Sequence, residues 1–203
     1  MVILETKDFC KQYLMIEPSS LQNVSAILML PWSFKCLYAM ISDAVPIFGY
    51  RRKYYLMING LMSFLCCALI FPDYFHKLYY VVGFLTMCQM AAASTDIIVD
   101  SIMVKEAKKD PLRGSEDLNT ISNLAMGISG IAGAITAAFF TEYVHPKWGL
   151  LLYSGIGLSI FIGAYNFEEE KVKFKVGLST LKGSFKQMKE AVKTPVISNM
   201  LIF

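Results

Sequence analysis

Apolar residues in this chain fall into long, nearly unbroken runs. A bilayer-spanning helix needs about 20 of them in succession. Five stretches qualify: Ser19 to Ser42, Tyr54 to Phe71, Leu78 to Val104, Leu118 to Tyr143 and Trp148 to Phe167. A sixth opens at Pro195 and reaches Phe203 about one-third of the way through a span. Residues 1–18 carry Glu5, Lys7, Asp8, Lys11 and Glu17 with no apolar run among them, so they read as a loop and not as a signal peptide. Pro18-Ser19-Ser20 has the character of a helix start. The one long polar stretch, 168–194, opens with Glu168-Glu169-Glu170 and turns basic. Val176, Leu178, Leu181, Phe185 and Met188 recur in it at roughly helical spacing, which predicts an amphipathic helix on the membrane surface. The pattern predicts an all-α membrane protein: a loop over 1–18, a five-helix domain over 19–167, a cytoplasmic linker over 168–194 and a further helix from 195. Five spans and a run cut short at Phe203 point to part of a longer membrane domain.

Lysine and arginine placement sets the orientation. Arg51, Arg52 and Lys53 follow the first span, Lys105, Lys108, Lys109 and Arg113 the third, and seven lysines the fifth. Those fourteen lie on one side; Lys7, Lys11, Lys77 and Lys147 lie on the other. The richer side is the cytoplasmic one, or its topological equivalent. Composition agrees with the pattern: 55% of residues are apolar and 17% charged, where a soluble domain has about 45–50% and about 25%. A net charge of +3 and the lack of a basic, aromatic-interleaved motif give no reason to expect a nucleic-acid partner. Five cysteines, an odd number, do not make a disulfide framework.

The second and fifth spans contain no charged residue and can face lipid all round. The first and third differ, because they hold Lys35, Asp96 and Asp100. Charges inside a bilayer are costly and turn toward a bundle interior or a wet cavity. Gln89, Ala93, Asp96, Asp100 and Met103 share one face of the third span. Lys35 lies eight residues before Asp43 and Asp96 eight before Val104, so both sit about 12 Å from the same surface. A Lys35–Asp96 pair at equal depth fits this spacing, either as part of a substrate or ion path or as a structural ion pair. Pro31, four residues before Lys35, predicts a kink. The fourth span is rich in small residues, with Gly127, Gly130 and Gly133 among them, and reads as a close helix-packing surface.

No catalytic constellation emerges. His76 and His145 have no metal-ligand spacing to other residues. Cys36, Cys66, Cys67 and Cys88 lie in spans and read as small apolar residues, and Cys10 is in the N-terminal loop. No phosphate-binding glycine loop is present. The expectation is a non-enzyme with neither cofactor nor metal.

Two segments are recognisable. Pro31-Trp32-Ser33-Phe34-Lys35, continuing through Ser42-Asp43-Ala44-Val45-Pro46-Ile47-Phe48-Gly49-Tyr50-Arg51-Arg52-Lys53, closely resembles the signature of the folate–biopterin transporter family, part of the major facilitator superfamily. The run Asp96 to Ala107 resembles the same family's fourth helix and its exit, and Gly114 with the small-residue helix after it resembles its fifth. The resemblance covers about residues 8–203. It implies helices two to six of a twelve-helix transporter, with the first helix missing and the seventh beginning at Pro195. It implies alternating-access transport of organic anions such as folate or biopterin, with a coupling ion and further membrane subunits as candidate partners besides the lipid bilayer. Folates carry carboxylates, which Lys35 could meet. Asp43, Gly49, Arg51 and Arg52 resemble the superfamily's gate motif between helices two and three, whose arginines bind acids near the end of helix four; Asp100 is the nearest such acid here. The alternative is a degenerate transporter half serving as a structural subunit of a larger assembly.

Overall fold

The computed structural model describes residues 18–70, 78–110, 113–143, 146–169 and 171. Six helices follow in order: α1 (Pro18–Ser33), α2 (Lys35–Ala44), α3 (Lys53–Ile70), α4 (Leu78–Ala107), α5 (Gly114–Tyr143) and α6 (Pro146–Asn166). No strand occurs among the described residues. The helices make five membrane-length apolar segments, with α1 and α2 together forming the first. The expected all-α membrane bundle is what the chain folds into. The N-terminal loop, His76, His145, most of the 168–194 linker and the run from Pro195 lie outside the described residues.

The first span is broken, not merely kinked. Pro31 has no N–H to give to the carbonyl one turn back. Three residues later Phe34 leaves the helix, at φ −96° and ψ 14°. Its N–H donates to the Pro31 carbonyl at 3.2 Å, a tight turn, and its own carbonyl accepts from Leu37 N–H at 2.9 Å. A new helix therefore starts at Lys35.

The closest packing is between α3 and α6, with α3 against α4 next. This corrects the expectation that the charge-free spans face lipid all round. α3 buries Leu56, Asn59, Gly60, Ser63, Cys66, Cys67 and Ile70 at helical spacing, and turns Ile58, Leu61, Leu65 and Leu69 outward. Apolarity cannot choose a face inside a bilayer, since lipid is as apolar as leucine. Small size does choose, because it lets backbones approach. A Cβ added to Gly60 would lie 2.7 Å from the Phe161 backbone nitrogen, and one added to Gly157 would lie 2.8 Å from that of Phe64. The two helices cross at these glycines. By contrast a Cβ at Gly127 or Gly130 meets nothing within 4 Å among the described residues, while Gly133 is buried.

Three clusters order the bundle along its axis. Val24, Leu28, Ile70, Val81, Leu85 and Leu150 fill one end. Cys66, Cys67 and Cys88 occupy the middle, with Met62, Phe84 and Tyr153 against them. Leu56, Ile98 and Ala164 fill the other end. The start of α3 thus shares an end with the exits of α4 and α6, and the basic residues flanking these termini gather there.

Candidate functional site

Lys35 opens α2 and Asp96 lies on the facing side of α4. The Lys35 ammonium donates to Asp96 Oδ2, an ion pair between residues 61 apart in sequence. Both side chains remain about one-third exposed, at 31% and 37%, so the pair is reachable from outside the packed helices. The ammonium also lies 4.6 Å from the centre of the Trp32 ring, within cation–π range. The Phe34 break makes this possible: Trp32 lies in the last turn of one helix, Lys35 begins the next, and both reach the same side. Trp32 Nε1 is buried and has no hydrogen-bond partner among the described residues. Equal depth, read from residue counts, placed Lys35 and Asp96 level. From sequence Trp32 is not singled out as a site residue, though its place three residues before Lys35 is a usable signal.

The α4 stripe divides at this level. Gln89 and Ala93 are buried in helix packing. Asp96, Asp100 and Met103 are partly open. Asp100 lines a cavity of about 250 Å³ between α4 and α5, with Met103, Val104, Ser115 and Asn119 around it.

The loop from 45 to 52 is a tight hairpin-like turn. Ile47 and Tyr50 exchange N–H to carbonyl bonds, both at 2.9 Å. Between them Phe48 has φ 50° and Gly49 φ 84°. A turn with two positive φ values demands residues that tolerate the left-handed region, which accounts for Gly49. Tyr55 Oη donates to the Val45 carbonyl at 2.8 Å and holds the turn against α3. Asp43 is exposed at the end of α2. An acid that meets this turn is Glu169, from the segment leaving α6. Its Oε2 accepts from the backbone N–H groups of Arg52 at 3.0 Å and Lys53 at 2.9 Å. A carboxylate at a helix start meets unbonded N–H donors and the positive end of the helix dipole. Lys53 Nζ stands 5.9 Å from the Tyr165 ring and Lys171 Nζ 5.7 Å from the Tyr50 ring, so the α6 exit is fastened to this turn at several points. From sequence the acidic run reads as the opening of the linker. Nothing in sequence tied residue 169 to residue 52.

Among the described residues no group of three or more histidines, cysteines and acids could hold a metal ion.

The chain matches the BT1 family along residues 1–203. It is 30% identical over 146 residues to "Probable folate-biopterin transporter 4" of Arabidopsis thaliana, covering 71% of this chain and 30% of that protein. It is 28% identical over 170 residues to "Folate-biopterin transporter" of Synechocystis sp., covering 81% and 34%. Against "Folate transporter 1" of Plasmodium falciparum it is 26% identical over 191 residues, covering 93% and 37%. The chain spans about a third of the length of these curated relatives. No solved structure matches it. With five membrane-length apolar helices and a family match along its whole length, this multi-pass integral membrane protein belongs to the BT1 family.

Proposed function

We propose that this chain forms part of a transporter that carries folate- or pterin-like organic anions across a membrane by alternating access. The observation that carries the reading is the Lys35–Asp96 ion pair, made between two membrane-spanning segments and left one-third exposed. Partial exposure spares the two charges the full desolvation cost of a buried pair. A pair open on one side can exchange partners: the carboxylate of an anionic substrate replaces Asp96 at the Lys35 ammonium. Lys35, Gln89, Asp96 and Asp100 form the pathway in this reading. Asp43, Gly49, Arg51 and Arg52 form the cytoplasmic gate. The exposed small-residue face of α5 at Gly127 and Gly130 is where a neighbouring helix approaches closely. The relatives named for folate and biopterin transport support the substrate class.

The test is uptake of labelled folate by the transporter that contains this segment, in cells lacking their own folate uptake. Lys35→Ala should abolish uptake and lower the protein level, since an unpaired Asp96 at this depth costs about 2.5–3.5 kcal/mol on insertion scales. Lys35→Ala with Asp96→Ala should restore the protein level without restoring uptake. Normal uptake by either variant overturns the proposal.

A further inference from the structure

Cys67 on α3 and Cys88 on α4 have no part in the pathway, yet they are the most thoroughly enclosed reactive side chains described. Both are 0% exposed, and their sulfurs stand 3.4 Å apart. Helix spacing brings them together: Cys67 continues the buried α3 stripe through Gly60 and Ser63, and Cys88 continues the α4 stripe through Val81 and Leu85. Ser63 Oγ lies 3.4 Å from Cys88 Sγ, so the Cys88 sulfur contacts a thiol and a hydroxyl together. At the end these helices share, Cys67 lies three residues before the close of α3 and Cys88 ten after the start of α4, about 4.5 Å and about 15 Å along their helices. Cys88 is thus about 7 Å from the midpoint of α4, within a hydrocarbon layer about 30 Å thick. A reagent that reaches it arrives from the acyl chains and not from water.

We propose that Cys67 and Cys88 are a dithiol modification site, closed to a disulfide by a membrane-soluble quinone. The bond requires a sulfur separation of about 2.05 Å, a short closure for two atoms already in contact on facing helices. The S–H bonds of both cysteines break and one S–S bond forms. The two electrons and two protons pass to the two carbonyl oxygens of the quinone, which leaves as the hydroquinone. Ser63 O–H, beside Cys88, can donate to that sulfur as negative charge gathers on it, and thiolate character governs such reactions. The product staples α3 to α4 within three turns of Asp96.

The test uses the chain in membranes, treated with duroquinone, whose fully substituted ring resists addition of thiols. A protease site inserted between Ile70 and Leu78 is then cut, and the fragments are run without reductant. They should remain joined, separate with dithiothreitol, and separate without it in Cys67→Ala and in Cys88→Ala. Cys66→Ala should stay joined. Fragments of the unsubstituted chain that separate without reductant overturn the proposal, as does joining that survives Cys67→Ala. Peptide mapping of the uncut, unsubstituted chain gives the same answer without any variant: after duroquinone and denaturation, Cys67 and Cys88 should resist iodoacetamide until reduced while Cys66 reacts. Continued alkylation of Cys67 and Cys88 overturns it. Each readout is a covalent bond and not uptake, so it stands or falls apart from the transport reading.

Discussion

Gly60 and Gly157 show how much a single hydrogen in place of a methyl decides. At either position a Cβ would sit under 3 Å from backbone of the opposite helix, and backbone cannot swing aside as a side chain can. Gly157→Ala should therefore destabilise the chain by about 1–3 kcal/mol, the usual range for overpacking. Gly127→Ala should be neutral or slightly stabilising, since alanine is the better helix former and meets open space. Thermal unfolding of both variants in one detergent checks the contrast. Equal melting temperatures would mean that α3 and α6 do not cross here. Gly49 matters for a different reason, its φ of 84°. Gly49→Val should cost about 1–2 kcal/mol through left-handed backbone strain and loosen the 45–52 turn, read as faster proteolysis of that turn.

At the scale of elements, α3 depends on a carboxylate it does not own. Glu169 meets the N–H groups of Arg52 and Lys53 from beyond the end of α6. Glu169→Ala should cost about 1 kcal/mol, as loss of a helix cap does. Glu169→Gln, which keeps an acceptor and loses the charge, should cost less. Melting curves of the two variants decide it, and identical loss in both would assign the effect to charge alone. The same example shows what the sequence made legible. Spans and their order follow from apolar runs, because each is a local property of the chain. The Lys35–Asp96 pair was legible too, since two charges in an apolar setting have few partners and equal depth can be counted. The crossing at Gly60 was not, because glycine 127, 130 and 133 form the more conspicuous series and residue type does not say which surface a helix will meet. The Glu169 contact was not, because side chain to backbone bonds leave no complementary residue to find. Pro31 announced a disturbance, but a second helix starting at Lys35 needed the tight turn at Phe34, which depends on backbone angles.

For the whole molecule, the cluster of Leu56, Ile98 and Ala164 gathers the start of α3 and the exits of α4 and α6 at one end. Arg52, Lys53, Lys109 and Lys171 flank those termini, which is the arrangement the positive-inside rule requires. A membrane-impermeant maleimide added to sealed cells should label native Cys10 and should reach a cysteine placed at Lys109 only after permeabilisation. Labelling of both from one side would overturn the topology. Helix α5 is the least enclosed member, with Ile121, Leu124, Met126, Ile128 and Ile131 all outward. Its amides should exchange with deuterium faster in detergent than those of α3, which is packed on two sides. The broken first span has a mechanical meaning. An unbroken helix is a rigid rod, so any tilt at one end is passed to the other. A single pivot at Phe34 uncouples the two arms. The arm from Lys35 to Ala44 has ten residues, about 15 Å, so a swing of about 20° carries its far end through about 5 Å. Lys35, beside the pivot, hardly moves. The span is thus a lever whose fulcrum adjoins the charged pair, and its tip at Ala44 can travel while the ammonium keeps its place.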